Sequence, residues 1–374
     1  MEKKTANIEI KQKNRTNIFR FFRKKNGVSR QDIVSELGLS LPTVTQNLLE
    51  LIKDGLIEET GSVGNTGGRR ARTYSLVKDA RTAIGLDITK HHVTAVAVDL
   101  SGAIIATIRK RLNFSRSDCY YRNLGDIIEE IVKEAQLNEE KILGVGIGVP
   151  GLITPDNKTV FYGEILNFTG ATCEEFSKYI PYRTKLFNDA NAAGFAETWS
   201  NPNTRNAFYI MLSTNVGGAI YIDHHQYCGD NIRGGEVGHI IIVPNGKQCY
   251  CGQKGCVDAY CAATVLASAT EGNLASFFDR LQNRDSEVMH IWEEYLQHLA
   301  ITVINVRMLF DCDIIIGGYV GAYMDQYLDD LKKLIAGRSS FEKNADYLKP
   351  CYYKIEAIAA GAALNYISDF LNSI

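Results

Sequence analysis

The sequence predicts two architectures in one chain: a small N-terminal winged helix-turn-helix of α+β type, then a larger two-lobed α/β body. Three observations carry that expectation. Three helical patterns, punctuated by Ser29, Gly38 and Ser40, precede two short strands that flank a loop rich in glycine and arginine. Further on, a run of three strands followed by alternating helices and strands occurs twice. Charge is also split: residues 1–80 carry 15 Lys and Arg against 9 Asp and Glu, a surplus of +6, while the remainder carries 26 against 34, or −8. A basic head on an acidic body points to a polyanionic partner for the head alone.

The head is read first. After a basic, frayed start, Ile18, Phe19 and Phe22 mark an amphipathic helix from about Arg15. Ser29 caps a second helix with Ile33, Val34 and Leu37 at helical spacing, and Gly38 ends it. Ser40 opens a third, with Pro42 in its first turn, running to about Asp54. With Val44, Leu48 and Leu51 turned inward, Ser40, Thr43, Thr45, Gln46 and Asn47 are expected to face out. Hydroxyls and amides there match base edges and phosphates in a DNA major groove. The wing, 61–72, offers Arg69, Arg70 and Arg72 to phosphates or to a narrow minor groove. The competing reading of the same residues is a protein-binding winged helix with a solvated basic loop.

A short polar linker, 77–82, leads to the body. Strands are expected at 83–89, 93–99 and 103–109, a helix at 122–137, and buried strands at 142–149 and 185–187. The second of these delivers Asn188-Asp189 to the start of a helix ending near Trp199. A second unit begins with strands 207–212 and 219–222 separated by a turn at 213–218. A long helix, 286–310, a strand from Asp313 to Gly317-Gly318 and a last helix, 356–371, complete it. Two such units around a cleft imply an actin/hexokinase-like, ribonuclease H-like body. The expected divisions are 1–80, 83–200 and 201–374. The duplication is one of pattern, without a sequence repeat.

The densest chemistry lies between Glu236 and Asp258. His239, Cys249, Cys251 and Cys256 are spaced H-x9-C-x-C-x4-C, with Gly246, Gly252 and Gly255 to turn the backbone. Three thiolates and an imidazole suit a closed tetrahedral zinc site, which leaves no coordination position for hydrolysis and serves folding instead. The bland alternative, ordinary thiols, leaves three cysteines within eight residues unexplained. Pinning His239 would also fix the nearby carboxylate of Glu236.

The run Gly235-Glu236-Val237-Gly238-His239, followed by Cys249, Cys251 and Cys256, resembles the zinc motif of the ROK family of repressors, open reading frames and sugar kinases. With the N-terminal segment added, the chain is similar to its transcriptional repressors of the xylose-operon and N-acetylglucosamine type. The resemblance spans about residue 15 to the C-terminus and implies a monosaccharide in the cleft. It places Gly151, Asn167, Asn188, Asp189, Glu236 and His239 around that sugar. Asp189 matches the kinases' general base. The family usually carries Glu two residues after the last zinc cysteine, where this chain has the shorter Asp258.

The resemblance also locates the phosphate machinery, and there the chain departs from it. Kinases of the family read Asp-x-Gly-Gly-Thr after the first strand; here the text is Asp87-Ile88-Thr89-Lys90-His91. The second turn, Ser213 to Ala219, is only partly preserved. Glycine is what lets backbone N–H groups cradle a phosphate closely. No catalytic residue is therefore expected, Asp189 being a vestigial base.

Composition bounds the rest. No apolar run reaches the ~18–20 residues of a membrane span, and the N-terminus lacks the apolar core of a signal peptide. Nine cysteines, three of them beside a histidine, fit a reducing cytoplasm. The sequence thus reads as a cytoplasmic, sugar-responsive repressor acting as a homodimer, or a dimer of dimers, on palindromic double-stranded operator DNA. Two readings compete: an ATP-dependent sugar kinase with an accessory DNA-binding head, and a repressor governed by a protein partner.

Overall fold

The computed structural model of the chain describes all residues except Met1, 64–70 and Pro202, with the backbone alone at 2–10, Lys24 and Val63. Helix α1 spans Glu2–Lys24 without interruption, where the sequence pattern suggested a frayed start. Its Ile18, Phe19 and Phe22 are buried. Strand β1 (Val28–Ser29) leads to α2 (Arg30–Leu37). Ser29 and Asp32 form a reciprocal capping box, each side chain accepting from the other's backbone N–H, and Gly38 closes the helix at φ +63°. Ser40 caps α3 (Leu41–Lys53), with Pro42 in its first turn. Strands β2 (Ile57–Val63) and β3 (Ala71–Leu76) form the wing hairpin, and β1 pairs with the far edge of β3.

One surface expectation on α3 is corrected here. Asn47 points inward, 2 % exposed, in a single buried stripe with Val44, Leu48 and Leu51. Positions 44, 47, 48 and 51 fall at i, i+3, i+4 and i+7, which is one helix face. Asn47 Nδ2 donates to the Thr43 carbonyl at 2.8 Å, while its Oδ1 is buried without a hydrogen-bond partner.

The body begins with β4 (Thr82–Ile88), β5 (His92–Asp99) and β6 (Ile104–Arg111), followed by α4 (Asp118–Glu134) and β7 (Ile142–Val149). A small hairpin of β8 (Leu152–Ile153) and β9 (Val160–Tyr162) precedes β10 (Thr184–Asn188) and α5 (Asp189–Ser200). The sheet order is β10-β7-β4-β5-β6; β4, β5 and β6 are antiparallel, while β7 and β10 run parallel to β4. The second unit contains β11 (Ala207–Leu212), β12 (Val216–Ile222) and β13 (His225–Tyr227). It continues with α6 (Ser286–Phe310), β14 (Asp313–Gly317), β15 (Leu348–Pro350) and α7 (Ala357–Ser373). Taken from the opposite edge, its order, β15-β14-β11-β12-β13, repeats the first sheet strand for strand and sense for sense. The pattern duplication is therefore a structural one.

Helices α5 and α7 lie against each other beside the sheets. A Cβ on Gly361 of α7 would overlap the Ala192 carbonyl of α5, and one on Gly85 of β4 would overlap the Ala359 carbonyl of α7. Only glycine permits backbones this close. The segment between head and body is packed rather than free: Lys78–Ala80 forms a 3-10 turn whose Lys78 carbonyl accepts from Leu100 N at 2.9 Å. Helix α1 meets the end of α7, with Thr16 Oγ1 donating to the Leu371 carbonyl at 3.2 Å and Gln12 Nε2 to that of Asn372 at 2.7 Å.

Candidate functional site

The strand ends of the two units converge on one cleft. Pro150-Gly151 follows β7, Asn188-Asp189 joins β10 to α5, and the turn after β11 faces them from the other unit, with Glu236 and His239 beside it. The cleft is open to solvent and lined by residues of both units. Asn188 builds its floor: Oδ1 accepts from Asn191 N at 2.9 Å as the α5 cap, while Nδ2 donates to the Gly151 carbonyl and to Asp189 Oδ1, both at 3.1 Å. Asp189 Oδ1 also accepts from Ala190 N at 2.8 Å.

Burial pushes the Asp189 carboxyl up to about 7; the Ala190 N–H opposes the shift and the Glu236 charge adds to it. Asp87, at the end of β4 and 3 % exposed, is likewise pushed up to about 7 by burial and by Asp189, with Arg109 opposing. Glu236 is raised by desolvation, against the pull of His239 and Arg233. Asp87 and Asp189, and Asp189 and Glu236, are thus near enough for their charges to interact, and such carboxyls suit hydrogen bonding to hydroxyl groups.

His239 links the cleft to the cysteine loop. Its Nδ1 lies 3.9 Å from Cys249 Sγ, and Cys251 Sγ lies 3.8 Å from Cys256 Sγ. The four ligand atoms all fall within 4.8 Å of one another. A tetrahedral ion with metal–sulfur bonds of ~2.3 Å spans ligand edges of about 3.7 Å, so the set fits a metal. With Nδ1 turned to the thiols, Nε2 faces the cleft, 3.2 Å from Tyr250 Oη and 3.9 Å from Glu236 Oε2.

Five sequence-predicted residues, Gly151, Asn188, Asp189, Glu236 and His239, line the cleft together. Asn167 does not join them. It is exposed at φ +50°, with its N–H donated to the Glu164 carbonyl at 3.1 Å, and this turn presents Glu164 to the cleft instead. Asp258 does not reach it either; 7 % exposed, its Oδ1 accepts from Val216 N at 2.6 Å beneath the turn after β11. The sequence reading missed Tyr162, Glu164, Met211 and Tyr250 as lining residues. Tyr250 sits between two predicted metal ligands, so its place in the cleft follows once the loop is pinned.

In both phosphate turns some N–H groups are taken up from within. Thr89 N donates to the His92 carbonyl at 2.9 Å, and His92 N donates to Thr89 Oγ1 at 3.0 Å. The expected turn at 213–218 is shorter: β12 starts at Val216, and Gly217 and Gly218 pair with Met211 and Ile210 in the ladder. Its Val216 N–H is spent on Asp258. Gly318 N donates to Tyr209 Oη at 3.1 Å.

In the head, Ser40 and Thr43 hold the α3 cap, their hydroxyls 2.8 Å apart. Gln46 is exposed and Thr45 half-buried, and Leu49, 59 % exposed, lies on the same outward face as Gln46. Arg69 and Arg70 lie outside the described residues; Arg72 is exposed and pairs with Glu59 at 2.9 Å.

Residues 83–365 match the model described as ROK family, three quarters of the chain, and residues 12–58 match a winged helix-turn-helix DNA-binding model. The chain belongs to the ROK family. It is 25 % identical to the xylose repressor of Bacillus subtilis over 376 residues, covering 98 % of this chain and 97 % of that protein. Among solved structures it is similar to a ROK family transcriptional regulator described as a homologue of the Escherichia coli MLC protein. The TM-score is 0.73 at 23 % identity, over 98 % of each chain. A ROK glucokinase of Streptomyces griseus in complex with glucose and AMPPNP gives 0.60 at 23 % identity, covering 76 % of this chain and 98 % of that one. At such identities the structural likeness establishes the fold: a winged helix-turn-helix joined to a hexokinase-like body.

Proposed function

We propose that this ROK protein is a sugar-responsive transcriptional repressor of a carbohydrate-utilisation operon, with a monosaccharide as inducer in the cleft and no phosphoryl transfer. The observation that carries the reading is the pairing of a winged helix-turn-helix with a carboxylate-lined cleft whose phosphate turns spend the N–H groups of Thr89 and Val216 internally. The full-length likeness to a xylose repressor supports it. In this reading Gly151, Asn188, Asp189, Glu236 and His239 bind the sugar, joined by Glu164 and Tyr250. Ser40, Thr43, Thr45 and Gln46, with Arg69 and Arg70 of the wing, meet the DNA. Zinc on His239 Nδ1, Cys249, Cys251 and Cys256 fixes the loop that presents Glu236 and His239 Nε2–H; supplied as a closed site, it contributes rigidity and no reaction step. The repressor works in the cytoplasm, as a homodimer or dimer of dimers on a palindromic operator; no described helix is long and apolar enough to cross a membrane.

The kinase alternative retains one supporting observation, an Asp189 carboxyl near 7 at the position of the kinases' base. A thermal-shift screen with xylose, glucose, N-acetylglucosamine, allose and fructose, run beside an assay of ADP release, separates the two. The repressor reading expects a rise in midpoint with at least one sugar, since a ligand of the folded state adds RT ln(1 + [L]/Kd), and no ADP. Turnover that Asp189→Asn abolishes would establish the enzyme instead.

A further inference from the structure

Helix α5 begins in the cleft and ends against the head. Asp189 is its first residue, and Trp199 lies near its other end, about 15 Å away along the axis at 1.5 Å per residue. Trp199 is 9 % exposed, and the guanidinium of Arg23, from α1 of the head, stacks on its indole with Cζ 3.7 Å from the ring centroid. Arg23 Nε donates to the Ser101 carbonyl at 3.2 Å and Nη2 to the Trp199 carbonyl at 3.4 Å. Desolvation lowers the Arg23 pKa to about 10, which leaves it a cation at neutral pH. The other unit reaches the same point. Glu197, 3 % exposed on α5, accepts from the backbone N–H groups of Tyr352 at 2.7 Å and Tyr353 at 3.0 Å, and Tyr353 Oη donates to the Gly102 carbonyl at 2.9 Å.

Head, first unit, α5 and second unit therefore share one buried knot, one helix length from the cleft. The surrounding α5 packing is tight: Gly194 faces Ala219 and Tyr221 of β12, and Ala192 faces Gly361 of α7. We propose that α5 carries the state of the cleft to the DNA-binding head, with Arg23 on Trp199 as the positioning contact that transmits it. The proposal rests on the sugar-binding reading of the cleft. Arg23 touches neither the cleft lining nor the outward face of α3, so its role is to set where the head sits. Planar stacking with simultaneous donation to two carbonyls is particular to arginine; lysine keeps the charge and loses the fork.

The test uses the full chain, a duplex enriched from a random pool by the wild-type protein, and whichever sugar of the panel raises the thermal midpoint most. In Arg23→Lys and Trp199→Phe, the expected loss of DNA affinity on adding sugar shrinks from tenfold or more to under twofold. The sugar's own thermal shift remains that of the wild type. Amide exchange of residues 12–23 should quicken at least tenfold while that of β4 and β7 does not change. Variants that release DNA as the wild type does overturn the proposal, whatever their exchange. Should no sugar shift the midpoint, the reading of the cleft fails separately, and exchange at 12–23 unchanged by either substitution then overturns the Arg23 contact itself.

Discussion

Asp189 concentrates the chemistry of the cleft. Its raised pKa reflects removal from water more than any single neighbour. A sugar hydroxyl donates best to the ionised form, so sugar affinity should climb between pH 6 and pH 8, by at most about tenfold for one group titrating near 7. Calorimetric titration at several pH values checks this, and Asp189→Asn should bind more weakly with a flatter profile. The stability linkage has the opposite sense. A carboxyl whose folded pKa is raised holds its proton more tightly in the folded state, so its contribution is fully present below about pH 4 and is lost as pH rises through about 7. Legibility at this scale was uneven for a geometric reason. Asn188 and Asp189 were readable because a strand end meeting a helix start fixes both side chains. Asn167 and Asp258 were not, since a left-handed turn and a buried N–H contact decided where they point.

At the scale of elements, the cysteine loop has little regular structure of its own. A 3-10 turn at Val237–His239 and isolated bridges at Ile241–Cys256 and Gln248–Lys254 are what the described segment offers. A metal held by His239, Cys249, Cys251 and Cys256 would add a strong constraint, since structural zinc sites contribute roughly 10 kcal/mol in small peptides. Chelation, or Cys256→Ser, should lower the thermal midpoint by several degrees and remove the sugar-dependent shift, with zinc restoring both only in the chelated wild type. On α3, Leu49 was readable as one more apolar helix residue, yet it lies on the outward face beside Gln46, where an apolar side chain can meet a thymine methyl. Gln46→Ala and Leu49→Ala should each weaken DNA binding by about 1–3 kcal/mol, measured by anisotropy, with little change in midpoint because both side chains are exposed. The strands and helices themselves were legible wherever apolar runs were long: β7, β11 and α6 fall where their patterns placed them. The start of β12 was hidden, because Gly217 and Gly218 read as turn residues while their missing side chains admit Ala190 of α5 and the Gly235 carbonyl.

For the whole molecule, the order of strands betrayed the duplicated body, although nothing in the sequence repeats. Seating of the head was not readable. It depends on polar Gln12 and Thr16 meeting carbonyls more than 350 positions away, and on one arginine finding one indole. The molecule so assembled places the winged helix-turn-helix and the carboxylate-lined cleft at opposite ends of helix α5. The direct measurement is the affinity of the full chain for its selected duplex, by fluorescence anisotropy, at zero and saturating concentration of the stabilising sugar, with ATP present throughout. The account predicts at least a tenfold loss of DNA affinity with sugar and no ADP formed. An affinity that no sugar alters, or DNA release that requires ATP hydrolysis, would contradict it.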